Sequence, residues 1–538
     1  MNGVYKIPKP FNEPIYKYES GSKERDLLNI ELNKIRNEYV KVPLIIGGKE
    51  IHTEEKGKII VPHDHKHELG EFSMATEEHV KLAVEESQKA KSAWENMPYY
   101  DRAAIFLRAA ELITHKYRYI LNAATMLNQS KTYFQAEIDA ACELADFFRF
   151  NAKFLEEIYM EQPQVNSPGI WNRSEYRPLE GFVFAITPFN FTSIAGNLPT
   201  APAIMGNTVL WKPASTSVLS GYYIMKLLKE AGVPDGVINF LPGSGRKVGD
   251  PVFESSHLAG IHFTGSTGVF NSMWKKISEN IDKYKIYPRI VGETGGKDFI
   301  FVHNSADTTE LSVAAVRGAF EYQGQKCSAA SRMYVPSSMI EELKTKMVDI
   351  LKDARVGDIE DYDVFMGAVI DESSFKNTVS YINAAKESKD SEIVFGGKSS
   401  KETGYFIDPT IIVTKDPHFI SMEEEIFAPV LTIFVYDDEK FEETLKICDS
   451  TSNYALTGAI FSYDRAAVNT AFSILKNAAG NFYINDKPTG AVVGQQPFGG
   501  ARKSGTNDKA GSKLNLLRWT SPRTIKENFL PPSEFKLL

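Results

Sequence analysis

The chain begins with amphipathic patterns of helical spacing and then changes to short apolar runs. We predict a helix capped by Asp101, with an apolar face that contains Ile105, Ala109 and Leu112. Residues 136–150 predict a second helix, rich in Ala and aromatic residues. Residues 162–177 are polar and rich in turn formers, which is typical of a connection or an exposed hairpin.

From residue 181 onward, apolar strands alternate with helices of about a dozen residues, which favours a parallel sheet built from βαβ units. The predicted strands are 181–186, 207–211, 236–241 and 260–263, and the predicted helices are 217–230 and 268–281. A second α/β region is predicted over residues 299–483, starting with strand 299–302 and helix 308–322. The polar tail after residue 494 is expected to pack on another surface.

Composition excludes several classes of protein. The 538 residues are too many for one compact core, and 43% apolar residues are too many for a disordered chain. Lys and Arg total 61 against 69 Asp and Glu, and this acidic balance argues against nucleic-acid binding. Three cysteines exclude a disulfide framework. No apolar run is long enough for a membrane span or typical of a signal peptide.

Several residues have the chemistry of an active site, although each alone also has an ordinary explanation. Gly265 and Ser266 stand between a predicted strand and a predicted helix, where backbone amides suit a pyrophosphate; an ordinary βα turn is the alternative. Cys327 has small polar neighbours, as expected for an accessible nucleophile; a structural cysteine is the alternative. Glu293 lies among glycines that would admit a substrate, or it is a solvated loop acid.

Asn190 and Lys212 follow predicted strands. An Asn190 amide could donate to an oxyanion, and Lys212 lies where α/β sheets bind ligands; a turn residue and a surface lysine are the alternatives. His63, His65 and His67 alternate in a polar loop and are expected to be solvated. Because no His or Cys spacing typical of a metal site occurs, we predict no metal.

Taken together, the motifs resemble the aldehyde dehydrogenase superfamily over nearly the whole chain. The stretches TPFNF, WKPA, FTGS, GETGGK, GQKC, EEIFAPV and PFGGARKSG occur in that family's order. Three longer stretches, at 136–153, 321–336 and 494–511, are similar to the branch that oxidises L-glutamate γ-semialdehyde, formed from Δ1-pyrroline-5-carboxylate, to L-glutamate in the second step of proline degradation.

The resemblance implies a mechanism. Cys327 would attack the aldehyde, the Asn190 amide and the Cys327 backbone N–H would hold the oxyanion, and Glu293 would activate water against the thioester. NAD is the implied cofactor. Its implied contacts are Lys212, Ser215, Gly265, Ser266, Glu425 and Phe427. The implied substrate contacts are Ser328, Phe191, Gly490, Ala491, Phe498 and Glu143.

Two positions depart from the pattern. Ala491 stands where a serine is expected, which puts one hydroxyl contact with the substrate carboxylate in doubt. Ser215 stands where many NAD-preferring relatives have an acid, so no carboxylate at this position repels a 2′-phosphate and NADP is expected to be tolerated. Glu143 is expected to meet the substrate ammonium or, equally, to be a solvent-facing helical acid.

The implied architecture is a Rossmann-type NAD-binding domain, an α/β catalytic domain and a small β oligomerisation flap. We assign residues 1–160 and 178–298 to the helical region and NAD-binding domain, 299–490 to the catalytic domain, and 161–177 with 491–538 to the flap and tail. A homodimer or a dimer-based hexamer is expected. The compartment would be the cytoplasm in a bacterium and the mitochondrial matrix in a eukaryote. The alternatives are a dehydrogenase for another semialdehyde, such as succinate semialdehyde, and a catalytically silent binding protein.

Overall fold

The apolar runs form two seven-stranded sheets in a computed structural model that describes residue 3 and residues 5–535. The strands are β1 (Val40–Val42), β2 (Leu44–Ile46), β3 (Lys49–Ile51), β4 (Lys56–Val61), β5 (Asp64–Ser73), β6 (Ile170–Pro178), β7 (Phe182–Ile186), β8 (Thr208–Lys212), β9 (Ile238–Phe240), β10 (Leu258–Thr264), β11 (Arg289–Glu293), β12 (Asp298–Val302), β13 (Ala330–Pro336), β14 (Ser391–Phe395), β15 (Ser399–Ser400), β16 (Phe406–Ile407), β17 (Thr410–Thr414), β18 (Val430–Tyr436), β19 (Tyr454–Ala455), β20 (Thr457–Phe461), β21 (Asn481–Ile484), β22 (Ala501–Arg502) and β23 (Thr520–Asn528).

Helices cover the sheets and form a separate layer in the first third of the chain. They are α1 (Lys23–Asn37), α2 (Glu77–Glu95), α3 (Tyr99–Leu112), α4 (Arg118–Gln129), α5 (Tyr133–Ala136), α6 (Leu144–Tyr159), α7 (Thr192–Ile204), α8 (Val218–Ala231), α9 (Gly245–Glu254), α10 (Thr267–Glu279), α11 (Thr308–Phe320), α12 (Ile340–Asp353), α13 (Glu372–Glu387), α14 (Ile420–Glu423), α15 (Phe441–Ser450), α16 (Arg465–Ile474) and α17 (Lys513–Leu517). None of the helices in the described ranges is long and apolar enough to cross a bilayer.

The first sheet has the order β11-β10-β7-β8-β9-β2-β3, and its first five strands are parallel. The second has the order β14-β17-β18-β13-β12-β20-β21 and is parallel except for β14. Continuous apolar strands suit sheets that are covered on both faces. The smaller sheets are β1-β5-β4, β15-β16 and β19-β22.

The ribbon of β6 and β23 pairs the predicted hairpin region with the C-terminal tail. The two strands are antiparallel in a register that runs from Thr520 opposite Pro178 to Asn528 opposite Ile170. Within the tail, Trp519 is buried and accounts for the anchoring of the ribbon, whereas Leu530 is exposed. The residue limits assigned to the three domains stay a prediction.

Two helix predictions need correction. Helix α3 begins at Tyr99 after Pro98, so Asp101 lies in its first turn and is not its cap; the carboxylate there favours the positive end of the helix dipole. The helix predicted over 136–150 is part of a longer helical stretch in which α5, a π-helical segment at Glu137–Glu143 and α6 follow one another.

Candidate active site

One edge of the first sheet collects four of the predicted residues. Strands β11, β10, β7 and β8 are parallel neighbours, so their carboxyl ends meet at the same edge. Thr264 lies opposite Glu293, and Ile186 lies opposite Lys212. Gly265 directly follows β10, and Asn190 lies four residues after the end of β7. Residues of four separate chain segments are therefore brought to the edge where open α/β sheets bind ligands.

The second sheet supplies Cys327, on the loop between α11 and β13. Two contacts hold this loop against the first sheet's edge. The Asn190 side-chain N–H donates to the Gln325 carbonyl at 3.0 Å. A Cβ at Gly296 would lie 2.1 Å from the Cys327 carbonyl oxygen, so the turn after β11 needs glycine for this close approach. The half-buried thiol thus lies beside the ends of β7 and β11.

The surroundings of Cys327 disfavour its charged form. Burial raises the pKa of the Cys327 thiol, and the neighbouring carboxylates of Asp298, Glu293 and Glu425 raise it further. The resting group is therefore a neutral thiol at neutral pH, and attack requires that its proton be transferred.

Glu293 ends β11 with its carboxylate held in place. The Gly500 N–H donates to Glu293 Oε2 at 3.0 Å. Burial raises the pKa of Glu293 well above its usual range; the Gly500 hydrogen bond and the Lys509 ammonium act in the opposite direction. A raised pKa makes this carboxylate a stronger proton acceptor, which suits it to act as a general base.

The residues predicted for the cofactor lie along the same edge. The Lys212 ammonium donates to the Pro213 carbonyl, and burial lowers its pKa to about 8. Ser215 begins the 3-10 turn that follows. The Gly265 N–H donates to the Glu293 carbonyl at 3.2 Å, and Ser266 caps α10 by accepting from Val269 at 3.4 Å.

Glu425 and Phe427 come from the second sheet's side. The Gly296 N–H donates to Glu425 Oε1 at 2.9 Å. Phe427 has φ 59°, and its ring meets the Phe189 ring edge-on at 5.7 Å. NAD fits this set. A Cβ at Gly268, in the first turn of α10, would meet nothing within 4 Å, so nothing crowds this face of the helix start, where a pyrophosphate would bind; the Lys212 ammonium and the Glu425 carboxylate suit the ribose hydroxyls.

The predicted substrate contacts begin at the residue that follows Cys327. The Ser328 and Thr489 hydroxyls are 2.8 Å apart, which joins the thiol loop to the turn of Gly490 and Ala491. Gly490 has φ 96°, a left-handed value that favours glycine. Phe498 is half-buried, and its backbone pairs with Ala510 on the loop that also holds Glu293.

Glu143 is not a solvent-facing acid. The Ser193 hydroxyl donates to Glu143 Oε2 at 2.9 Å. Burial raises the pKa of Glu143 to about 8, and the nearby Asp139 carboxylate also raises it. Because Ser193 follows Phe191 by two residues at the start of α7, the carboxylate lies beside that loop. Its contact with an ammonium group stays a prediction.

Sequence reasoning missed some residues of the site. Phe189 forms the aromatic wall with Phe427, and Thr489 joins Ser328. Lys131 and Asp139 form a buried ion pair beside Phe191. No spacing rule marks these four, because their importance comes from contacts between segments that are distant in the chain; only the buried position of a Lys–Asp pair eight residues apart could have been suspected.

The expectation of solvated histidines is wrong for His63. Its side chain is buried, its Nδ1 lies 3.1 Å from Ser130 Oγ, and burial lowers its pKa to about 4. A nitrogen of His63 and oxygens of Asp358 and Glu360 lie within 4.8 Å of one another. The Arg36 guanidinium pairs with Glu360 there and supplies positive charge, so we keep the prediction of no metal.

Comparison with known proteins gives a consistent result. The model of the aldehyde dehydrogenase family matches residues 51–525. Over 531 residues the chain is 58% identical to the mitochondrial Δ1-pyrroline-5-carboxylate dehydrogenase of Dictyostelium discoideum, covering 98% of this chain and 95% of the relative. It is 47% identical to the human mitochondrial enzyme of the same name, covering 97% and 93%.

Among solved structures, the Δ1-pyrroline-5-carboxylate dehydrogenase of Mycobacterium tuberculosis bound with NAD superimposes with a TM-score of 0.96. It is 49% identical to this chain, and the match covers 100% of this chain and 99% of that one. Both the sequence and the three-dimensional likeness therefore extend over the described sheets, the site and the ribbon of β6 and β23.

Proposed function

Because this chain belongs to the aldehyde dehydrogenase family, we propose that it oxidises L-glutamate γ-semialdehyde to L-glutamate with NAD through a thioester on Cys327. The predicted family, α/β fold, dehydrogenase activity and NAD cofactor are confirmed by the full-length relatives and by the NAD-bound structure. The activity is the second step of proline degradation. The roles of individual residues below are our proposal.

The first step is attack by the Cys327 sulfur on the aldehyde carbon. The thiol proton leaves through water to the solvent, so that the Glu293 carboxylate stays free to act as the base in the second step. As the C–S bond forms, the carbonyl oxygen becomes an oxyanion. The Asn190 side-chain amide and the Cys327 backbone N–H donate to it. The contact of Asn190 with the Gln325 carbonyl supports this role, because it holds the amide beside the Cys327 loop.

NAD, when bound, supplies the acceptor for the hydride that leaves the former aldehyde carbon. Lys212 and Glu425 would hold its ribose hydroxyls, and Gly265 and Ser266 would face its pyrophosphate. Phe427 would pack beside the nicotinamide end. At Ser215 no side-chain carboxylate opposes a 2′-phosphate, so we propose that NADP is tolerated although NAD is preferred.

The second step is hydrolysis of the thioester. Glu293 accepts a proton from water, the water oxygen bonds to the acyl carbon, the C–S bond breaks, and glutamate leaves while the sulfur regains a proton. The Gly500 N–H at 3.0 Å fixes the orientation of this carboxylate through both steps.

Substrate selection would come from a carboxylate anchor and an ammonium contact. Ser328 and the backbone amides of Gly490 and Ala491 would bind the α-carboxylate, since backbone N–H groups serve whatever the side chain is. Phe191 and Phe498 would enclose the aliphatic stem. The 2.9 Å hydrogen bond from Ser193 supports Glu143 as the ammonium partner, because it holds the carboxylate beside Phe191.

The assembly and the compartment are also proposed. Strands β6 and β23 pair only with each other among the described strands, and a two-stranded ribbon is marginal alone. Trp171 on β6 is half exposed. These features support a homodimer, or a dimer-based hexamer, in which the ribbon meets a partner; light scattering after gel filtration measures the number of chains. We assign the activity to the mitochondrial matrix in a eukaryote and to the cytoplasm in a bacterium.

The observation that carries the proposal is the meeting of Asn190, Glu293 and Cys327 at one sheet edge. Steady-state NADH production from L-glutamate γ-semialdehyde, succinate semialdehyde and pentanal tests it. We expect kcat/KM for the first to exceed that for pentanal by about 10²-fold or more, because pentanal leaves buried polar groups unpaired. Equal or better turnover of succinate semialdehyde would replace the proposed substrate, and no turnover of any aldehyde would indicate a silent binding protein.

A further inference from the structure

A buried ion pair that the reaction does not use lies behind the oxyanion donor. Lys131 follows the C-terminus of α4, and its side chain is fully buried. Its ammonium lies 2.7 Å from Asp139 Oδ2. Removing two charges from water costs several kcal/mol per ion, and apolar residues of similar volume often do as well for stability. Such a pair therefore needs a reason other than packing.

Asp139 sets the start of α7. The N–H groups of Thr192 and Ser193 donate to its two carboxylate oxygens, each at 2.8 Å. Phe191, the residue in the N-cap position, provides no side-chain cap of its own. The acid that satisfies the first amides of the helix thus comes from another helical segment. Because Asn190 immediately precedes Phe191, the position of the Asn190 backbone depends on Asp139.

Lys131 connects the start of α7 to the Cys327 loop. Its ammonium lies 4.2 Å from the centre of the Phe191 ring and 4.4 Å from that of Tyr322. Tyr322 and Gln323 both have left-handed backbone angles, φ 53° and 55°, which neighbouring structure must enforce. The Gln323 side chain donates to the Ser130 carbonyl at 2.9 Å. One short segment therefore contacts both loops that would form the oxyanion hole.

We propose that Lys131 and Asp139 are positioning residues that set the distance between the Asn190 amide and the Cys327 backbone N–H. The ion pair fixes the start of α7, and the ammonium between two rings fixes the nucleophile loop relative to it. This inference rests on the proposed function, because the oxyanion belongs to the dehydrogenase reaction. Neither side chain touches the substrate.

A double-mutant cycle tests the proposal on the full-length enzyme. Asn190→Ala is expected to lower kcat by about 10²–10³-fold, the usual loss for one oxyanion donor. Lys131→Met is expected to lower kcat by about 10-fold or more while changing the KM for NAD by less than about threefold. In the Asn190→Ala background, Lys131→Met should have little further effect, because a residue that acts through Asn190 has nothing left to position.

Two further variants keep the test decisive. Asp139→Asn preserves the shape and one accepting oxygen; it enters the same cycle if Lys131→Met fails to fold. Arg149→Gln is the matched control, because it breaks another buried pair, with Glu13, away from both loops; it should lower thermal stability and leave kcat unchanged. Circular dichroism checks that each variant is folded.

The outcomes distinguish the positioning role of Lys131 and Asp139 from the oxyanion role of Asn190. Equal losses of kcat from Lys131→Met with and without Asn190 would overturn the positioning role, as would unchanged kcat in folded Lys131→Met and Asp139→Asn. Unchanged kcat in Asn190→Ala alone would instead remove the oxyanion donor from the proposed reaction.

Discussion

Replacing Glu293 with glutamine removes the proposed base with little change of shape. The glutamine carbonyl oxygen can still accept the Gly500 N–H that Glu293 Oε2 accepts at 3.0 Å, so the turn after β11 is expected to stay in place. The amide also removes the negative charge that raises the pKa of Cys327. Thiol attack and hydride transfer should therefore survive, while water activation should not.

The size of the effect follows from general base catalysis, which contributes about 10²–10⁴-fold. We expect the steady-state kcat of Glu293→Gln to fall within this range. In the wild type, burial raises the pKa of Glu293, and the active form is the carboxylate. The wild-type kcat should therefore rise with pH through that raised pKa, and the variant should lack this rise.

Stopped-flow absorbance of NADH separates the two steps. The variant should release about one equivalent of NADH per site rapidly and then turn over slowly, because the thioester accumulates. Glu279→Gln, which removes an exposed charge at the end of α10, is the matched control and should behave as wild type. Loss of the rapid phase in a folded Glu293→Gln, or an unchanged steady-state rate, would refute the reasoning.

Three other predictions concern substrate, cofactor and stability. Ser328→Ala should raise the KM for L-glutamate γ-semialdehyde about 10–100-fold with nearly unchanged kcat, since one hydrogen bond to a charged group is lost; an unchanged KM would exclude the hydroxyl from the carboxylate anchor. The ratio of kcat/KM for NAD to that for NADP should be modest because of Ser215, and a preference of about a thousandfold would contradict this. The pKa of Glu143 is raised from 4.5 to about 8 in the folded state, so its protonated form stabilises the fold fully below about pH 4.5. That stabilisation is lost as the pH rises towards 8. The free energy of unfolding from urea titrations should therefore fall over this range in the wild type and not in Glu143→Gln.

The sequence predicted the strands of the first sheet closely because their apolar runs are continuous. The strand predicted at 207–211 is Thr208–Lys212, and the helix predicted at 217–230 is Val218–Ala231, ending before Gly232 in a left-handed conformation. Local chemistry, namely apolar runs and a C-terminal glycine, decides such elements. Where tertiary contacts decide, prediction was poorer, as at the π-helical segment Glu137–Glu143.

In the candidate site, too, local sequence predicts some residues and tertiary contacts decide the others. Motif order predicted Cys327, Glu293 and Asn190 without geometry. The burial of His63 could not be predicted, and for Lys131 and Asp139 the sequence offered only their eight-residue spacing, since burial depends on which distant segments cover these side chains. Glu143 was open between two interpretations because helical spacing does not reveal whether α7 lies against it; the Ser193 contact removes the solvent-facing alternative.

Trapping the covalent intermediate tests the central claim most directly. Glu293→Gln enzyme is mixed with L-glutamate γ-semialdehyde and NAD, quenched in acid, and mapped by peptide mass spectrometry. The account predicts a glutamyl thioester on the peptide that contains Cys327 and none on Cys142 or Cys448, which are buried. NADH formed without any adduct on Cys327, or an adduct on another residue, would contradict it.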